Sequence, residues 1–140
     1  MIIEIFVSLL IFILSYKLFL RLKPTNLNKN ILFTGYRQTG KTLTINSLIN
    51  EKYKTVPTLD SYTVNYKDLQ IREQVYNEKD LFDKSSKILF FIRNNKDMEN
   101  LTKKFRDCKN IKFVMYKKSN DKIKNVLYLE EEPNKINIIL

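Results

Sequence analysis

The chain has no histidine, no alanine, one cysteine and two glycines in 140 residues. Without histidine, imidazole acid/base catalysis and the usual zinc ligand sets are excluded. Cys108 alone cannot close an intrachain disulfide, and no cysteine cluster supplies another zinc pattern. A reducing compartment fits that usage. Heavy use of Lys, Asn and Ile is a bias of the whole chain, so a single extra lysine says little. The length allows one domain and not two.

Charge of one sign is in excess: the formal net charge is +10. Such a balance points to anionic partners, namely phosphates, RNA or a membrane surface. The plainer reading is a lysine-rich solvated surface. The basic residues are scattered, and no recognisable nucleic-acid module is present.

Residues 2–20 read IIEIFVSLLIFILSYKLFL, with only Glu4 and Lys17 charged. At roughly 1.5 Å per residue this run spans about 28 Å, the hydrocarbon thickness of a thin bilayer. It is apolar all round, unlike a helix packed on a globular surface. An acidic start and the absence of a small-residue cleavage site argue against a signal peptide. Lys17, Arg21 and Lys23 flank its C-terminal end, so the positive-inside rule places the rest of the chain in the cytosol. The expected organisation is a transmembrane anchor over 1–22, a linker over 23–29 stopped by Pro24, and a domain over 30–140.

Residues Asn30 to Thr34 form a short buried-strand pattern. Gly35-Tyr36-Arg37-Gln38-Thr39-Gly40-Lys41-Thr42 follows, matching G-x-x-x-x-G-K-[ST] in full. Both glycines of the chain fall where the backbone must turn tightly and approach phosphates. Successive amides and a helix N-terminus hold the negative charge. Lys41 is placed to reach β- and γ-phosphates, and Thr42 to ligate Mg²⁺. Leu43, Ile45, Leu48 and Ile49 then supply the packing positions of a helix.

Further strands are expected at Tyr62–Leu69, Lys87–Arg93, Ile111–Tyr116 and Asn125–Glu130, with helices at Glu78–Lys84 and Lys96–Asp107. Alternating strands and helices give an α/β class with a mostly parallel sheet. In the loop after the first helix, Thr58, or failing it Thr55, could reach Mg²⁺ and a γ-phosphate. Asp68, near the end of the second strand, would stand by Mg²⁺ in a Walker B arrangement, or is an ordinary strand-end acid.

This order resembles the small-GTPase class of P-loop NTPases, and within it the beta-subunit family of the signal recognition particle receptor. The P-loop carries the resemblance first. Thr55-Val-Pro-Thr58-Leu-Asp60 is similar to switch I. Asp68-Leu-Gln-Ile71 falls where D-x-x-G is expected, ahead of Ser85-Ser86 and the strand Lys87–Ile92. The resemblance implies GTP, with ATP left open, and Mg²⁺ bound by residues 35–42, Thr58, Asp68 and Lys117. It implies a single-pass anchor in the endoplasmic reticulum membrane, a cytosolic domain, and recruitment of the larger alpha subunit through the nucleotide-bound switch face. A ribosome contact through the basic surface is compatible with it. The departures are Ile71 for the D-x-x-G glycine, Arg72 for a water-orienting Gln, and Tyr116-Lys117-Lys118-Ser119 for N-K-x-D. Asn120-Asp121 would replace the missing pair after a local shift. Weak or absent hydrolysis is expected. The rival readings are an Arf-like trafficking GTPase, a P-loop phosphotransferase, and a scaffold that binds no nucleotide.

Overall fold

The computed structural model describes residues 7–9, 11–17, 29–51, 60–82 and 85–140. In chain order the domain runs β1 (Lys29–Gly35), α1 (Lys41–Leu48), β2 (Tyr62–Tyr66), β3 (Leu69–Glu73), β4 (Lys87–Ile92), α2 (Asn95–Lys104), β5 (Ile111–Met115), β6 (Val126–Tyr128) and a 3-10 helix (Pro133–Ile138). The six strands form one sheet in the order β2-β3-β1-β4-β5-β6. All neighbours pair in parallel except β2 with β3.

The interior of the sheet follows from strand composition. In β4, KILFFI, every residue after Lys87 is buried, as a parallel strand covered on both faces requires. Period-two alternation sends Leu89 and Phe91 to one face and Phe90 and Ile92 to the other. The first face packs on Ile45 and Leu48 of α1 and Ile136 of the 3-10 helix, joined by Phe33 of β1. Leu43, on the outer side of α1, stays exposed. The second face packs on Leu101 of α2 and a cluster of rings. Tyr76 stands 5.0 Å from Phe90, and Phe82 stands 5.1 Å from Phe105, between centroids.

Helix α2 carries its own start signal. Asn94 caps it, its side chain accepting from the Asp97 amide, and Lys103 and Lys104 occupy the last turn. Helix α1 has no side-chain cap and begins straight from Gly40.

Three expectations are corrected. The strand expected over Tyr62–Leu69 breaks into a hairpin, with Lys67 left-handed at φ 52° and Tyr66 opposite Leu69. No helix forms over 78–82. A turn takes its place, in which the Asn77 amide donates to the Asp80 carboxylate at 2.8 Å; 83 and 84 lie outside the described residues. The sheet face over Leu32, Gln70 and Ile88 therefore opens as a groove of about 510 Å³. The last strand is only Val126–Tyr128, and Glu130 and Glu131 after it are both left-handed. The sequence after it forms the 3-10 helix.

Most of the expected anchor, and the linker over 23–28, lie outside the described residues. Residues 7–9 and 11–17 are helical and exposed. Among the described residues no helix is long and apolar enough to cross a membrane.

Phe90 joins both the central strand and the ring cluster, so Phe90→Ala should destabilise the fold by about 3–5 kcal/mol. A urea midpoint for the variant close to that of the wild type would show that the cluster is not a packed core.

Candidate functional site

The phosphate-loop motif lies where β1 leaves the middle of the sheet. From β1 the strand order runs to β3 on one side and to β4 on the other. That reversal is the place where open α/β sheets bind ligands at strand C-termini.

Close approach of two backbones sets the start of the loop. Gly35 pairs opposite Phe91, and a Cβ on Gly35 would lie 2.2 Å from the Phe91 carbonyl oxygen, at φ +141°. The end is set by a side chain. Gly40 has φ +86°, and a Cβ there would lie 2.4 Å from Cγ of Tyr116. Between them Gln38 is left-handed at φ 57°. The Thr39 hydroxyl donates to the Tyr36 carbonyl at 2.8 Å.

Lys41 opens α1 and is only 4% exposed. Its ammonium donates to the Tyr36 carbonyl at 2.6 Å, to the Gly35 carbonyl at 3.2 Å and to the Thr39 hydroxyl at 3.3 Å. Burial lowers its pKa to about 8, and the negative charge of Glu73 pulls part of the way back.

Thr42 donates its hydroxyl proton to Oε1 of Glu73 at 2.9 Å. Glu73 ends β3, opposite Phe33 of β1, and is 1% exposed. Its Oε2 accepts from the Tyr62 phenol at 2.6 Å. Burial, followed by that bond, holds the Tyr62 phenol well above its ordinary pKa.

The site residues named from sequence divide as follows. Residues 35–42 come together as one loop. Lys117, exposed after β5, joins them: with Arg37, Gln38, Thr39 and Tyr116 it lines a cleft of about 170 Å³. Asp68 is corrected. It lies in the β2–β3 turn, five residues before Glu73 and about 16 Å away along an extended strand. The hairpin is the physical reason: β3 starts after Asp68, so the acid at its C-terminal end is Glu73. Thr58 and Thr55 lie outside the described residues. Asp121 and Ser119 line a separate pocket with Lys117 and Asn95. The Asp121 backbone carbonyl accepts from Asn95 at 2.9 Å and from Ser119 at 3.1 Å.

Sequence reading missed Glu73 and Tyr62. A signal for Glu73 exists: in Leu69-Gln-Ile-Arg-Glu73 the acid shares a face with Leu69 and Ile71. A carboxylate on the apolar side of a strand must find partners.

Arg93 braces the rim, and Glu130 forms a separate ion-paired cluster. Arg93 lies over the Tyr36 ring at 4.1 Å and grips Asp97 with Nε at 3.0 Å and an Nη at 3.1 Å. Glu130 accepts from Lys122 and, at 2.9 Å, from Lys135.

As to metals, no group of three His, Cys, Asp or Glu side chains assembles among the described residues. A magnesium ion shared with a nucleotide needs fewer protein groups, one or two hard oxygens beside phosphate. Thr42 and Glu73 fit that donor set.

The chain matches no protein-family model, and no curated protein matches it either. Fold and loop together define a mostly parallel α/β domain compatible with the P-loop nucleotide-binding fold.

Two predictions follow, one from the loop and one from the Glu130 cluster. Gly40→Ala should destabilise the domain by about 2–4 kcal/mol, through left-handed strain and overlap with Tyr116. Adding Tyr116→Ser should return the overlap share only, read from urea midpoints. Glu130 has its pKa lowered from 4.5 to about 2, first by the hydrogen bond from Lys122 and then by that from Lys135. A lowered carboxylate pKa stabilises above the unfolded value and loses that contribution as pH falls through the folded one. The stability gap between wild type and Glu130→Gln should therefore be constant above pH 5 and shrink between pH 4.5 and 2. A gap that stays level down to pH 3 would refute the pairing.

Proposed function

We propose that this chain is a membrane-anchored, nucleotide-binding protein of the small-GTPase type that holds a larger partner at the membrane, as the beta subunit of the signal recognition particle receptor does. The observation that carries the reading is the bond from Thr42 to Glu73. It supplies, from a different strand than sequence spacing indicated, the carboxylate that a P-loop threonine needs.

Lys41 and the loop amides bind phosphate charge, Thr42 and Glu73 hold Mg²⁺, and the stem of Lys117 flanks a base in the cleft beside Arg37 and Gln38. When bound, Mg²⁺ neutralises charge on the β- and γ-phosphate oxygens. With Glu73 as the strand-end acid, Tyr76 stands three residues on, where D-x-x-G has glycine. Its amide donates to the Gly35 carbonyl at 2.9 Å, so it is committed to the sheet. Hydrolysis is accordingly weak, and the bound nucleotide acts as an ordering ligand.

The anchor reading rests on the apolar run. Phe12 is 73% exposed and Leu14 59% exposed within the N-terminal helical residues, as suits side chains that face lipid. The positive flank leaves the domain in the cytosol, and the resemblance selects the endoplasmic reticulum.

One observation favours a second reading, a scaffold that binds no nucleotide: Lys41 already donates to two carbonyls of its own loop. A single experiment separates the two. The full chain is purified in mild detergent, carried-over nucleotide is released with acid and identified by chromatography, and thermal unfolding is followed with Mg²⁺-GTP or Mg²⁺-ATP. Nucleotide at 100 times its Kd should stabilise the chain by about 2.7 kcal/mol, and Lys41→Met should abolish the gain. An empty site with no thermal response to either nucleotide would establish the scaffold.

A further inference from the structure

The Glu73 carboxylate divides its two oxygens between two elements. Oε1 takes the Thr42 hydroxyl of α1, and Oε2 takes the Tyr62 phenol of β2 at 2.6 Å. Tyr62 is the first residue of the edge strand and pairs directly opposite Glu73 in the hairpin. Its ring packs on the core beneath α1, so the phenol is held on a rigid element. The last torsion of a glutamate is broad, so its hydrogen-bond partners decide its orientation.

We propose that Tyr62 is a positioning residue for the magnesium site: by fixing Oε2 of Glu73 it turns Oε1 toward Thr42, the pair that would hold the cation. This rests on the nucleotide-binding reading above and adds to it a residue that acts through the Glu73 carboxylate. Partners that orient a ligating group raise its metal affinity, and their loss typically lowers that affinity by about 10–100-fold. Tyr62→Phe keeps the ring and its packing while removing only the hydroxyl.

The test uses the full chain in detergent micelles and a fluorescent GTP analogue as probe. Affinity is measured in EDTA and across a Mg²⁺ titration, with the thermal midpoint of the metal-free protein read alongside. In Tyr62→Phe the Mg²⁺ concentration for half-maximal tightening should rise about 10-fold, while affinity in EDTA stays within twofold of wild type. In a Glu73→Gln background, Tyr62→Phe should shift the Mg²⁺ midpoint no further, since the two residues act through one carboxylate. An unchanged midpoint in the single variant, or equal losses with and without Mg²⁺, would overturn the assignment. So would a full shift in the Glu73→Gln background. A wild-type chain that binds the probe neither with nor without Mg²⁺ marks failure of the nucleotide-binding reading itself, and the assignment falls with it.

Discussion

Everything at the site depends on how closely the backbone of Gly35 lies against that of Phe91. Parallel pairing of β1 with β4 brings the two together with no space for a Cβ. The pairing fixes the point at which the chain leaves the sheet. The loop then has five residues in which to turn and begin α1 at Lys41. On the other side of β1, pairing with β3 sets Glu73 level with Phe33, within reach of Thr42. A one-residue slip in either ladder would turn these side chains to the opposite face. The geometry of the loop is therefore a property of the sheet register as much as of the loop's own residues.

The site also concentrates buried charge. Lys41 and Glu73 are both almost wholly buried at the same end of the sheet. Their surroundings differ in kind. Lys41 is satisfied by loop carbonyls and a hydroxyl, Glu73 by hydroxyls from two other elements. Desolvated ions of this sort rarely add net stability, and they persist where function repays the strain. Elsewhere among the described residues, an exposed Arg93 pairs with the buried Asp97, and Glu130 sits between Lys122 and Lys135 nearer the surface.

Much of this was legible in the sequence, for physical reasons. A buried central strand such as Lys87–Ile92 can hardly be read otherwise. The first strand, its glycine loop and its helix announce themselves together. The 3.6-residue spacing of Met98, Leu101 and Phe105 marks α2, whose Asn94 cap only the structure shows. The hairpin was hidden because its turn is Lys67-Asp68, without the Asn-Gly or Asp-Gly pair that usually advertises one. With the hairpin unseen, one strand stood for two and the acid fell five residues early. The segment 78–82, which forms no helix, had the composition of one. What it lacked was a place to bury a stripe, since Tyr76 and Phe82 are drawn instead into the ring cluster. Tyr62 gave no sign at all, because its importance comes from a cross-strand neighbour.

The central place of β1 has a consequence for the order of assembly during synthesis. The strand ends at Gly35, yet its two neighbours begin at Leu69 and Lys87. Nothing in the first third of the chain can complete its sheet. The ring that covers Gly40 belongs to Tyr116, later still. The glycine loop is thus made before the strands and the ring that fix it in place. Contacts this distant in sequence slow folding, because loop closure must precede any gain from pairing. A growing chain would hold its apolar start and an open glycine loop together until the fourth strand emerges.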